Sequence, residues 1–199
     1  ITNSTSTDAA AFSINTQISS KPSYEDPNSQ DLQLMAINST NGTSCKAALN
    51  GTVQVKMAFE CIDPDTCSGR QVAINGTNGW QSIQGFDEGN VNMGSSSEVS
   101  LDFGDETDAT AAFDLKYPDA GKIKLHARYE LLTQNGISTG NYMYGASNQF
   151  VVRPFGFDVD VYNSSGNQNP GASSAGGDVF TTAGWDFNAT LTAVVWQND

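Results

Sequence analysis

Phe150-Val-Val-Arg-Pro-Phe-Gly-Phe-Asp-Val-Asp-Val161 decides how this chain is organised, because it reads as one β-domain ending and another beginning across a single proline. Phe150 to Val152 forms a short apolar strand. Pro154 lacks a backbone N–H and biases Arg153 towards an extended conformation, so a hydrogen-bonded ladder breaks there. Beyond it, Phe155, Phe157, Val159 and Val161 alternate with Gly156, Asp158 and Asp160. That is the period-two signature of a half-buried strand with its aspartates facing outward. The expected domains are residues 1–153, and residues 154–199 as a partial second β module.

Upstream of this seam, strands are expected near 11–18, 31–37, 52–61, 71–74, 98–103, 109–115, 122–132 and 148–152. Asn-Gly pairs beginning at Asn41, Asn50, Asn75 and Asn135 punctuate them, and Asn-Gly between alternating apolar residues is the strongest short-range hairpin signal. The spacing suits one immunoglobulin-like β-sandwich with an insertion around 76–94, in an all-β chain with almost no helix. After the seam, Gly, Ser and Asn dominate 162–177, and Phe187, Ala189, Leu191, Ala193 and Val195 alternate again. Those residues are too few for a second complete sandwich, so this module is either truncated or leans its strands on the first domain.

Leu115-Lys-Tyr-Pro-Asp-Ala-Gly-Lys-Ile-Lys-Leu-His-Ala-Arg-Tyr129 places the turn residues Pro118, Asp119 and Gly121 ahead of the alternating set Ile123, Leu125, Ala127 and Tyr129. This resembles the late strands of immunoglobulin-like modules on bacterial surfaces. Together with Cys61-Ile-Asp-Pro-Asp-Thr-Cys67-Ser-Gly and the Val-Arg-Pro-Phe-Gly-Phe seam, it resembles the conserved β-sandwich region of large bacterial surface proteins of the MSHA pilus biogenesis protein MshQ family, over residues 30–196. The resemblance implies a place at the surface of a Gram-negative bacterium. Partners would be other domains of the same large protein and pilus or surface components. No enzymatic activity and no catalytic residues come with it.

Nine Lys and Arg against 22 Asp and Glu give a net charge of −13, which repels phosphate backbones and anionic headgroups and argues against nucleic-acid partners. No apolar run approaches the ~20 residues that would span a bilayer as a helix, so membrane insertion is not expected. With Ile1 in place of an initiator Met and no leader pattern, the chain is expected to be a mature or excised part of a longer one.

Three cysteines, Cys45, Cys61 and Cys67, lie close together. Five residues between Cys61 and Cys67 match neither the usual zinc spacing nor the Cys-x-x-Cys redox motif. A disulfide closing the loop around Asp63-Pro64-Asp65 is expected, with Cys45–Cys61 as the open alternative. Either bond implies an oxidising compartment. The single histidine, His126, falls on the face opposite Ile123, Leu125 and Ala127 and is expected to meet solvent, which leaves no catalytic triad to assemble. Asp102, Asp105, Glu106 and Asp108 supply hard oxygen donors suited to Ca2+, without the order of an EF-hand loop. Trp80, in the Asn78-Gly-Trp-Gln loop, and the pair Tyr142 and Tyr144, in a second loop, are candidate platforms for a ligand such as a glycan. Trp185 and Trp196 flank an alternating strand and are expected in the core. The function expected is a non-enzymatic extracellular structural or adhesion module. The alternative is a carbohydrate-binding module with a Ca2+-dependent or aromatic site.

Overall fold

The computed structural model describes residues 9–26, 32–40, 44–67, 69–87, 96–105, 109–133, 135–174 and 176–197. Among them the chain is all-β, with one 3-10 turn at Ser23–Glu25 and no α-helix. Two 12-residue strands, β5 (Thr52–Asp63) and β11 (Gly121–Leu132), pair antiparallel at the centre of the front sheet. The other edge of β11 is taken by β12 (Ser138–Ser147) and then β13 (Phe150–Arg153). Alongside those, β1 (Ala9–Phe12) and β2 (Gln17–Ile18) run parallel to β12 and β13. The far edge of β5 is shared by β8 (Gln84–Asp87), parallel, and β9 (Ser97–Asp102), antiparallel.

The chain crosses to the back sheet through β1, which also pairs β3 (Leu32–Thr40). From β3 the order continues through β10 (Thr110–Lys116) and β6 (Ala73–Gly76) to β7 (Gly79–Ser82), with β4 (Ser44–Ala47) folded back on β3. Sequence alternation drives both layers. Val55, Met57, Phe59 and Cys61 of β5 and Ile123, Leu125 and Ala127 of β11 are buried, as are Leu32, Leu34 and Ala36 of β3 and Ala111, Phe113 and Leu115 of β10. These inner faces merge into one core, as two packed sheets must to remove their apolar sides from water.

The first strand departs from expectation. Instead of one element over 11–18, the ladder stops after Phe12 and resumes at Gln17. The last strand of the sandwich breaks at the same level, between Ser147 and Phe150. Asn148 bridges the gap: its Oδ1 accepts from Ile14 N at 2.7 Å and its Nδ2 donates to Ile14 O at 2.9 Å. A side-chain amide thus supplies the donor and acceptor that the missing ladder would have provided. The stretch expected as an insertion at 76–94 holds β7 and β8 among its described residues.

After Pro154 the chain forms a separate two-stranded sheet of β14 (Gly156–Asn163) and β15 (Phe187–Val194), paired antiparallel from Gly156↔Val194 to Asn163↔Phe187. Phe157, Val159 and Val161 share a face with Ala193, Leu191 and Ala189, while Asp158 and Asp160 share the other with Thr192 and Thr190. The alternation is as expected, but the burial is not. Phe157 is 63% and Leu191 63% exposed, because no further strand among the described residues packs on that face. Trp185, expected in the core, is 65% exposed before β15. Trp196, also expected in the core, is only half-buried; its backbone N–H donates to Ser19 O at 3.0 Å and its ring centre lies 5.8 Å from Lys21 Nζ.

Candidate functional site

Because Leu125 and Ala127 of β11 point into the core, Lys124, His126 and Arg128 occupy the outer face of the front sheet. On the neighbouring strand Met143 is 2% exposed, so Tyr142 and Tyr144 project outward on either side of it. They stand on β12 rather than in a loop. The Gly and Asn of Ser138-Thr-Gly-Asn-Tyr-Met-Tyr-Gly-Ala-Ser147 hide the strand pattern, yet this segment is held between β11 and β1. Cross-strand register sets Tyr144 opposite Arg128 and Tyr142 opposite Glu130. On the other side of β11, Arg128 pairs with Lys56, and Lys56 in turn with Glu98.

The two tyrosine rings lie 6.0 Å apart, and the Arg128 guanidinium sits 5.0 Å from the Tyr142 ring centre. That contact attracts the cation to the negative face of the ring. Arg128 Nε is buried without a hydrogen-bond partner among the described residues. Glu130 accepts a hydrogen bond from the Ser138 hydroxyl. Beside these groups runs a shallow groove of about 410 Å³ lined by Thr52, Gln54, Lys56, Glu98, Arg128 and Tyr142. Only the two tyrosines were expected here. Their partners Lys56, Glu98 and Arg128 were readable as outward positions of alternating strands, but their juxtaposition depends on pairing between β9, β5, β11 and β12.

His126 does not face open solvent. Its Nε2 lies 2.8 Å from Glu60 Oε2, with the two side chains only 14% and 13% exposed. The alternation placed it on the outer face, where the alanines opposite it, Ala58 and Ala146, let the Glu60 side chain reach across to the ring. Trp80 lies on β7 rather than in a loop, opposite Asn75, and is 36% exposed with Lys116 Nζ 4.5 Å from the ring centre. It occupies the strand at the end of the back sheet's order, separate from the tyrosine pair in the pairing of strands.

Cys61 and Cys67 form a disulfide with Cα atoms 5.4 Å apart, which removes the Cys45–Cys61 alternative. The bond joins the end of β5 to the loop that follows it, so it closes a short loop rather than clasping the two sheets. Replacing both cysteines by Ser should lower stability by roughly 2 kcal/mol, the scale set by the chain entropy of so small a loop. Denaturant unfolding of the oxidised protein and the double variant measures this, and a loss above twice that scale would mean that the loop organises the core beneath it.

Asp102 Oδ1 accepts from Gly104 N at 3.0 Å, forming a local turn after β9. Asp105 is described, whereas Glu106 and Asp108 of the expected Ca2+ group lie outside the described residues. Among the described residues no cluster of three potential metal ligands occurs.

A family model described as domain of unknown function DUF6701, first Ig-like domain, matches residues 2–146. A second, described as the second domain of DUF6701, matches residues 153–199. No curated protein and no solved structure matches the chain.

Proposed function

The chain belongs to the DUF6701 family, and on that premise we propose that it is a non-enzymatic extracellular module of a large Gram-negative surface or pilus-associated protein of the MshQ type. It works by contact, holding neighbouring domains in position and presenting a surface. The observation that carries this reading is the joint between the two β units: β13 ends at Arg153 and β14 begins at Gly156, with only Pro154 and Phe155 between them. Units joined so closely transmit position along a chain of domains. The Cys61–Cys67 disulfide supports an oxidising location, where such bonds persist. The net charge of −13 supports protein and glycan partners over nucleic acid.

The reading is tested on cells making the full-length parent protein. Surface proteolysis should reach the module in intact cells, and mass spectrometry without reduction should recover the Cys61–Cys67 peptide. Deleting residues 2–146 should reduce attachment of the cells to a surface while the parent is still exported. Attachment unaltered by the deletion, or a module shielded inside the cell, overturns the proposal.

The unit boundary carries a separate expectation. A fragment of residues 1–153 retains every strand of the sandwich and should unfold cooperatively on its own. Limited proteolysis of the whole chain should cut first within 162–177, where most residues are exposed and outside strands. A fragment without cooperative unfolding would make β14 and β15 part of the first domain.

A further inference from the structure

We propose that the outer face of the front sheet around Tyr142, Tyr144 and Arg128 binds a neutral oligosaccharide. This deepens the reading of the module as one that works by contact, and rests on it. Three features of the face converge on that ligand.

The first is the aromatic pair. Two tyrosines on one strand face, 37% and 55% exposed and 6.0 Å apart, form a step on which the apolar C–H faces of successive sugar rings can lie. Aromatic rings left exposed side by side on a sheet retain their apolar area for a partner, whereas an inward position would have added it to the core.

Charge is the second. Lys56 and Arg128 are balanced by Glu98, in the same register across the strands, and by Glu130, two residues on from Arg128 and opposite Tyr142, so this face is locally neutral on a protein of net charge −13. An anionic polymer would meet repulsion from the rest of the surface, and a cationic one would find Glu98 and Glu130 already balanced by Lys56 and Arg128. A polyol carries both donors and acceptors and no charge. It matches a rim that offers ammonium and guanidinium donors beside carboxylate and amide acceptors.

The third is Arg128 itself. Its Nε is buried and lacks a partner among the described residues, and its guanidinium is held 5.0 Å from the Tyr142 ring. A cation fixed in this way loses little freedom on accepting a ligand hydroxyl. The groove of about 410 Å³ running from Tyr142 towards Thr52 and Gln54 gives room for further sugar units beyond the tyrosine step.

The test uses the whole 199-residue chain and isothermal titration with neutral hexose oligosaccharides of differing linkage, alongside a uronate oligosaccharide of similar length. At least one neutral series should bind, with affinity rising with chain length. The uronate series should bind more weakly. Tyr142→Leu with Tyr144→Leu keeps apolar cover on β12 and should weaken binding roughly tenfold or more, while Trp80→Leu, at the far end of the strand order, should leave it unchanged. Thermal unfolding of each variant establishes that it is folded. Absence of binding to every neutral series overturns the proposal, as does binding unaffected by the tyrosine changes in a folded variant. If no sugar binds but deletion of the module still abolishes cell attachment, this site fails and the contact reading stands. If sugar binds but attachment survives the deletion, the site stands and the contact reading fails.

Discussion

Phe59→Ala should destabilise the first domain by about 3–5 kcal/mol, the largest single loss we expect. Phe59 is 1% exposed on β5, with Leu125 of β11 opposite it on one side and Gly85 of β8 on the other. Its ring lies 5.6 Å from that of Tyr117. The absence of a side chain at position 85 is part of the same packing, since a Cβ there would stand 2.6 Å from Phe59 Cζ and 2.9 Å from Cys67 Sγ. Removing the ring therefore opens a cavity between β5, β8 and the disulfide loop. The surrounding sheet cannot collapse into it, because β5 is hydrogen-bonded along both edges. For a chain of this size the loss corresponds to a fall in melting temperature of about 6–20 °C. Phe59→Leu refills most of the volume and should recover the greater part. Denaturant and thermal unfolding measure both variants, and a loss below about 1 kcal/mol for Phe59→Ala would show that the site relaxes freely.

The same strand shows which parts of the fold were legible in sequence. Val55, Met57, Phe59 and Cys61 alternate with Lys56, Ala58 and Glu60, and the expected 52–61 falls within the observed Thr52–Asp63. Leu125 and its neighbours made β11 equally plain. The strands that escaped reading carry little periodicity of their own. Glycine and asparagine dilute the pattern in β12, and β8 contributes Gly85 where a core residue would otherwise stand, so pairing with neighbours decides their conformation more than propensity does. The amphipathic pattern of β14 was legible, but burial was not, since it depends on what covers the face. The candidate site divides in the same way. Tyr142 and Tyr144 stood out by type, whereas the placing of Arg128, Lys56 and Glu98 beside them is a property of register across four strands. His126 shows the limit of alternation, which identifies a face without saying how crowded it is.

Gly76→Ala should cost roughly 3 kcal/mol although the substitution adds one methyl group at the surface end of a hairpin. Gly76 does not lie in the left-handed region, so conformational freedom is not its reason. A Cβ there would run into the carbonyl oxygen of Ser100 on β9. That carbonyl is the anchor of the hairpin formed by β6 and β7. It accepts from Thr77 N at 2.9 Å and from Thr77 Oγ1 at 3.2 Å, while Thr77 Oγ1 also lies 2.8 Å from Ser100 Oγ. A second tie follows one turn on, where Gln81 Oε1 accepts from Ser100 N at 3.2 Å and Gln81 Nε2 donates to Glu98 O at 3.3 Å. These bonds join the end of the back sheet to β9 at the edge of the front sheet and close that side of the sandwich. Because the obstruction is backbone, the added methyl must displace the hairpin, and overpacking of about 1–3 kcal/mol is then joined by the loss of hydrogen bonds worth about 1 kcal/mol each. Gly79, across the same turn, provides the contrast: its φ is +79° and a Cβ there meets nothing within 4 Å. Gly79→Ala should lose only the ~1–2 kcal/mol of a left-handed backbone. Denaturant unfolding of the two variants, with hydrogen exchange at Thr77 and Ser100, separates the causes. Gly76→Ala should speed exchange at both amides and Gly79→Ala should spare them. Equal stability losses with both amides still protected would mean that β9 yields to the methyl group and that the closure is softer than its hydrogen bonds imply.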